Sequence, residues 1–143
     1  MIRRAKVSDL LQIRSMLHMA ATLGAPRANG GADLRTLQEA GYVHVAMDHA
    51  AVAGVTVFWE DGMDLHLYQF AVAHKFKRGN TVRALLAYVD KTALSDHRMR
   101  LLVHEGAAGF EVLSFCRGRG FSEIDQRTLR SGARVRILER ALR

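Results

Sequence analysis

A group of basic residues follows an apolar strand pattern that ends at Val72 and precedes a helix pattern that begins near Thr81. The loop between them contains three cations and a glycine, which are Lys75, Lys77, Arg78 and Gly79. The first N–H groups of a helix lack partners inside the helix and carry partial positive charge, so they can hold a phosphate or pyrophosphate. Nearby Lys and Arg side chains would add charge-assisted hydrogen bonds. This pattern predicts an anion-binding loop over residues 77–82, although a solvated basic loop has the same composition.

Histidine is the other residue type with clear chemical potential, because it binds metals and transfers protons. The chain has seven histidines. The pairs His44 with His49 and His97 with His104 lack supporting Cys or acidic residues at the spacing of a metal site. We therefore predict that the protein holds no metal.

These residues must be positioned by a fold, and the hydrophobic patterns predict alternating strands and helices. Strand patterns cover residues 2–5, 42–47, 52–59, 65–72, 101–104, 121–127 and 134–142. Helix patterns cover residues 9–23, 33–40, 81–94 and 107–116. The resulting order is β-α-α-β-β-β-α-β-α-β-β, which predicts a single mixed α/β domain over residues 1–143.

The composition is typical of one soluble globular domain, with 143 residues, 49% of them hydrophobic and 24% charged. The lone cysteine, Cys116, excludes an intramolecular disulfide. No apolar run reaches the roughly 20 residues that a membrane-spanning helix needs. We expect a cytoplasmic protein that has no signal peptide and no membrane partner.

The positive charge is concentrated in the second half of the chain. Residues 1–71 hold six basic and seven acidic side chains, whereas residues 72–143 hold fifteen basic and seven acidic ones. A basic half can serve a nucleic acid, an anionic cofactor or an acidic protein partner. It can equally form a solvated face, and charge asymmetry alone does not decide between these alternatives.

Three segments resemble the GNAT-type N-acetyltransferases. Residues 2–10 (IRRAKVSDL) resemble the first strand and helix of that family, residues 72–86 (VAHKFKRGNTVRALL) its acyl-CoA loop, and residues 115–121 (FCRGRGF) its passage from the last helix into the final strands. The resemblance implies a GNAT-like α/β fold with a central mixed, largely antiparallel sheet flanked by helices. It also implies transfer of an acetyl group from acetyl-CoA to a primary amine of a small molecule, peptide or protein.

The resemblance assigns the acetyl-CoA contacts to one strand and one loop. The strand that contains Phe70 and Val72 would splay from its neighbour and take the pantetheine as a β-like ligand. The loop would bind the CoA pyrophosphate through the residues Lys77, Arg78, Gly79, Asn80, Thr81 and Val82. Lys77 stands where the family has Gln or Arg, Asn80 at its first Gly and Val82 at its Gly or Ala. We expect Asn80 to preserve the turn, because Asn tolerates a left-handed backbone.

The catalytic positions of the family are also changed. Gln69 replaces a Glu that serves many members as a base through water, and an amide cannot accept that proton. His66 could deprotonate the amine instead, because its unperturbed pKa is about 6.5. His74 and Glu105 are further candidates near the ends of the strands that flank the cleft. Cys116 stands in place of the usual Tyr general acid and could donate a proton to the departing thiolate.

Two classes of function fit these features. The first is an acetyl-CoA-dependent N-acetyltransferase. The second is a GNAT-fold binding or assembly module that no longer catalyses, for example a phage virion component, with a protein partner or a second copy of itself. Arg134 and Arg136 would then share one face of the final strand, opposite Val135 and Ile137. Nucleic-acid binding by this face is an alternative without aromatic side chains to support base stacking.

Overall fold

The computed structural model describes residues 1–22, 33–76, 79–94 and 100–140. In these residues seven strands form one sheet: β1 (Ile2–Arg4), β2 (Val43–Asp48), β3 (Ala51–Asp61), β4 (Asp64–Val72), β5 (Arg100–His104), β6 (Ser122–Thr128) and β7 (Arg134–Glu139). Four α-helices accompany them: α1 (Leu10–Thr22), α2 (Leu34–Glu39), α3 (Thr81–Thr92) and α4 (Phe110–Gly118). The predicted order of elements is confirmed.

The strands are arranged in the order β1-β2-β3-β4-β5-β7-β6. Only the β4–β5 contact in this arrangement is parallel, and the other neighbouring strands pair antiparallel. The crossover between β4 and β5 contains α3, as a parallel connection requires. The sheet is therefore mixed and largely antiparallel, as the resemblance implied.

The helices cover opposite faces of the sheet because each strand alternates its buried side chains. On one face, Ile13 of α1 and Leu37 of α2 pack against Val45 of β2 and Val55 of β3. On the other face, the helices α3 and α4 pack against Leu65, Leu67, Leu101 and Val103. We call these two sides of the sheet the α1/α2 face and the α3/α4 face.

Several predicted boundaries differ from those of the structure. The last helix begins at Phe110 rather than at residue 107, because Gly109 takes an extended backbone and residues 105–107 form a separate 3₁₀ turn. Helix α3 ends at Thr92, and Leu94 reaches the core from beyond it. Strand β7 ends at Glu139, and residues 141–143 lie outside the described part of the chain. None of the described helices is long and apolar enough to cross a membrane.

Candidate functional site

The pairing of β4 with β5 stops part-way along β4. Residues 64–67 of β4 pair in parallel with residues 100–103 of β5. Residues 68–72 of β4 continue beyond this point, whereas β5 ends at His104. Over residues 68–72 the described chain therefore forms no ladder on the β5 side of β4. A strand edge of this kind can pair with an extended ligand through its N–H and C=O groups.

Two local features produce this split. Val57 and Phe58 of β3 pair with residues 69 and 67 of β4, so Tyr68 is an extra residue in β4. Such a β-bulge bends the strand and increases its twist. On the other side, β5 ends at His104 and a 3₁₀ turn over Glu105–Ala107 follows, so the ladder with β4 does not continue.

Gln69 lies at the bulge and packs onto the turn that follows β5. A Cβ placed on Gly106 would come within 2.8 Å of the Gln69 side-chain amide, so the glycine leaves the space that this amide occupies. The backbone carbonyl of Gln69 accepts a hydrogen bond of 3.1 Å from the Thr56 hydroxyl. An amide therefore occupies the position at which the resemblance places a carboxylate base.

The start of α3 lies next to the unpaired end of β4. Asn80 is the N-cap in a turn over residues 79–80, and its backbone, with φ −85° and ψ 0°, is not left-handed. The Gly79 amide donates to the Phe76 carbonyl over 3.2 Å. The N–H groups of the first helical turn, which begins at Thr81, have no partner within the helix. Lys77 and Arg78, predicted to assist here, lie outside the described residues.

Side chains below this helix start hold it close to the sheet. Val82 packs in a cluster with Val72 and Leu85, so its branched side chain points into the core. A Cβ on Gly54 of β3 would lie 2.6 Å from Cδ1 of Leu85 and 3.3 Å from Cγ2 of Thr81. Glycine at position 54 therefore sets how closely α3 approaches β3.

A narrow apolar cavity of about 10 Å³ lies between α3 and α4, and Leu67 and Phe70 of β4 form part of its lining. Its lining consists of Leu67, Phe70, Leu86, Val89, Leu94, Ala107, Val112, Phe115 and Cys116. Burial raises the pKa of the Cys116 thiol to about 11, so this group is protonated at neutral pH. Arg119 ties α4 to α3 through an ion pair with Asp90, with 2.6 Å between Nη2 and Oδ2.

His66 lies on the opposite side of the sheet from Cys116. On the α1/α2 face its ring stacks on Trp59, with 5.2 Å between the ring centroids. Its Nδ1 is 2.8 Å from Nε2 of His104, so one proton is shared between the two rings. Its Nε2 is 3.8 Å from a carboxylate oxygen of Asp61. The ring of Tyr68 packs edge-on against His104.

Both rings of this histidine pair are neutral near pH 7. Burial lowers the pKa of His66, although the carboxylates of Asp61 and Asp64 act in the opposite direction. Burial, assisted by His66, lowers the pKa of His104 to about 4. The Nδ1 atom of His104 is buried and has no hydrogen-bond partner among the described residues. The sequence showed no reason to join these two histidines, because 38 positions separate them.

A larger polar cavity of about 510 Å³ lies at the end of β5 and beside the β6–β7 hairpin. Its lining consists of Val103, Glu105, Ala108, Gln126, Arg127, Thr128, Arg134, Val135 and Arg136. Val103 also pairs with Leu67 at the last rung before β4 and β5 separate. The cavity therefore begins at the split. His74, by contrast, is exposed in the 3₁₀ turn after β4.

Solved structures of N-acetyltransferases have the same arrangement of strands and helices. The ribosomal-protein-alanine N-acetyltransferase from Brucella melitensis matches with a TM-score of 0.70 at 19% identity, over 99% of both chains. A GNAT-family acetyltransferase from Bacillus cereus matches with a TM-score of 0.60 at 14% identity, over 99% of this chain and 97% of that one. This chain has the GNAT fold. No protein-family model matches the sequence, and no curated protein matches it either.

One GNAT-fold neighbour holds the ligand that the resemblance implies. The N-acetylglutamate synthase from Neisseria gonorrhoeae, complexed with coenzyme A and N-acetyl-glutamate, matches with a TM-score of 0.70 at 17% identity. The match covers 100% of this chain and only 35% of the synthase chain.

The residues of this chain fit coenzyme A in two respects. Residues 68–72 of β4 have no ladder partner on the β5 side, and the side chains of Phe70 and Val72 pack in the apolar clusters beside α3. The first turn of α3 supplies unpaired N–H groups beside β4. Among the described residues, no group of three His, Cys, Asp or Glu side chains could hold a metal ion.

Proposed function

We propose that this protein is an acetyl-CoA-dependent N-acetyltransferase that acts on a primary amine. The separation of β4 from β5 directly beside the open N-terminus of α3 is the observation that carries this proposal. It leaves an unpaired strand edge and an anion-binding helix terminus together, which suits a ligand with an amide-containing arm and a pyrophosphate.

Acetyl-CoA would be held by the backbone of residues 68–72 and by the amides of Asn80, Thr81 and Val82, whereas the Gly79 amide is already bonded to the Phe76 carbonyl. Lys77 and Arg78 would add charge-assisted contacts to the pyrophosphate. The apolar cavity between α3 and α4 is narrow, so these helices would separate slightly on binding. The names of two structural neighbours indicate different acceptors, an amino acid in one case and the alanine of a ribosomal protein in the other. The acceptor of this chain is therefore argued from its own residues below.

The proton transfers would involve His66, its partner His104 and Cys116. The amine nitrogen forms a bond to the thioester carbon, the C–S bond breaks, and the amine loses a proton. His66 is already neutral, so it can accept that proton, and His104 would share it through the Nδ1–Nε2 contact. Cys116 is protonated and would supply the proton that the leaving thiolate needs. Glu105 is the alternative proton acceptor, because it lines the polar cavity at the split.

Calorimetric titration with acetyl-CoA tests the proposal without knowledge of the acceptor. We expect saturable binding that weakens as salt is added. Lys77→Ala and Arg78→Ala should each lower the affinity about tenfold to hundredfold, the range for a charge-assisted hydrogen bond. Lys91→Ala, at the exposed far end of α3, is the matched control and should bind like the parent. A parent protein that does not bind at millimolar acetyl-CoA would contradict the proposal and favour a non-catalytic binding module.

A further inference from the structure

The polar cavity at the β6–β7 hairpin combines the volume of a small-molecule site with a concentration of guanidinium groups. Its 510 Å³ lies within the roughly 300–1,000 Å³ that ligand sites occupy. Arg127 of β6 and Arg134 and Arg136 of β7 all line it. Strand pairing places Arg134 and Arg136 on one face of the hairpin, because Thr128 pairs with Arg134 and Gln126 pairs with Arg136, whereas Arg127 pairs with Val135 on the other face.

These arginines are available to an anionic ligand. Arg134 is exposed and forms no ion pair or side-chain hydrogen bond with any residue that the structure describes. Arg136 is 3.1 Å from Glu123 in an ion pair on the exposed surface, whereas Arg127 pairs with Asp125 over 2.9 Å on the other face of the hairpin. Exposed ion pairs of this kind are weak, so a ligand anion can share or replace the carboxylate partner.

The other end of the cavity has the opposite character. Among the described residues that line the cavity, Glu105 has the acidic side chain. It follows His104 directly at the end of β5. This end adjoins the split between β4 and β5, whereas the arginines lie along the hairpin. A ligand with an amine at one end and an anion at the other would match both ends.

We infer that the acceptor is a small amine that carries a carboxylate, which the arginines of the β6–β7 hairpin bind while the amine points towards the split between β4 and β5. The role of this ligand as an acceptor rests on the proposed acetyl transfer, whereas the binding of its anion rests on the cavity alone. A carboxylate suits the planar fork of a guanidinium, which can contact both of its oxygens. The chain thus has a recognition site for the acid group that is separate from the acetyl-CoA contacts.

The test compares acceptors that differ only in charge. Transfer from acetyl-CoA to 4-aminobutyrate is compared with transfer to 4-aminobutanamide, and 3-aminopropyl phosphate serves as the phosphate arm. We expect kcat/KM for the carboxylate to exceed that for the amide by about tenfold or more, the ratio for one charge-assisted hydrogen bond. Arg134→Gln should abolish most of this preference. Arg130→Gln, on the same hairpin but outside the cavity lining, should retain it. Equal rates for acid and amide would overturn the inference, and a faster phosphate ester would overturn the assignment to a carboxylate.

Binding of the product separates this inference from the proposed function. In an NMR titration without CoA, 4-acetamidobutyrate should bind more tightly than 4-acetamidobutanamide and should lose that advantage in Arg134→Gln. If acetyl-CoA does not bind but this difference is present, the transferase proposal fails and the anion site stands. If neutral amines are acetylated and neither assay distinguishes acid from amide, the anion site fails and the transferase proposal stands.

Discussion

At the scale of single residues, burial sets the protonation state of each side chain proposed for proton transfer. Water is largely excluded from the His66–His104 pair and from Cys116, and burial always disfavours the charged form. The imidazoles therefore stay neutral and able to accept a proton. The thiol stays neutral and able to donate one, but it cannot act as a thiolate nucleophile at neutral pH.

His66→Gln tests the proposed base directly. Gln retains a hydrogen-bonding side chain of similar size but cannot accept a proton. We expect kcat/KM at pH 7 to fall by about 10²–10⁴, the usual contribution of a general base. The loss should shrink at high pH, where more of the amine is neutral without help. A pH profile of kcat/KM for parent and variant measures both effects.

His49→Asn is the control for this experiment. His49 lies in the exposed β2–β3 turn with φ +54°, a left-handed backbone that Asn tolerates, so the activity should not change. If His66→Gln is as active as the parent at pH 7 while Glu105→Gln is inactive, the carboxylate in the polar cavity is the base and His66 is not.

At the scale of elements, the position of α3 relative to β3 decides whether its first turn can face a ligand. The contact depends on Gly54, since the space for a side chain there is taken by Leu85 and Thr81 of the helix. Packed interiors have no spare volume for such a side chain. A larger residue at this point must therefore displace the first turn of α3 away from the edge of β4.

Gly54→Val should weaken acetyl-CoA binding and lower stability together. Inserting side-chain atoms into a well-packed contact typically costs about 1–3 kcal/mol of unfolding free energy. Urea unfolding measures that cost, and calorimetric titration measures the affinity. Gly118→Ala is the control, because a Cβ there meets nothing within 4 Å and the position is helical. Full affinity in Gly54→Val would show that the helix position does not matter for the ligand.

At the scale of the whole molecule, acid affects stability through buried neutral histidines on both faces of the sheet. His44 lies on the α3/α4 face and its ring stacks on Phe58. Its Nδ1 is hydrogen-bonded to the Tyr88 hydroxyl over 2.7 Å. Burial, assisted by the positive charge of Arg4, lowers the pKa of His44 to about 4. In the unfolded chain its pKa returns to about 6.5. The unfolded state therefore binds more protons than the folded state between these two values.

The unfolding free energy should consequently decrease as the pH falls from about 6.5 towards 4. The part of the unfolding free energy that comes from neutral His44 is fully present above pH 6.5. At pH 4 about 1–3 kcal/mol of that free energy should be lost. His44→Gln removes this titration, so its stability should fall less than that of the parent over the same interval. Urea unfolding at a series of pH values provides the comparison, with His49→Asn as an exposed histidine control. Parallel pH curves for His44→Gln and the parent would contradict the role of His44.

The amino-acid sequence by itself determined the types and order of the elements and the strand–loop–helix unit around residues 72–81. These properties depend on local periodicity and on the residues at each turn, which are close together in the chain. Residues 79–80 form a turn before α3, although the φ of Asn80 is −85° and not left-handed.

Only the tertiary structure decided which chemical groups meet. The parallel pairing of β4 with β5 places His66 beside His104, and the sheet separates both from Cys116. The pairing of β6 with β7 likewise collects the cavity arginines that the sequence shows as scattered charges. Strand register depends on the burial of whole faces and on a bulge at Tyr68, so contacts between distant residues are fixed only when the complete sheet is assembled.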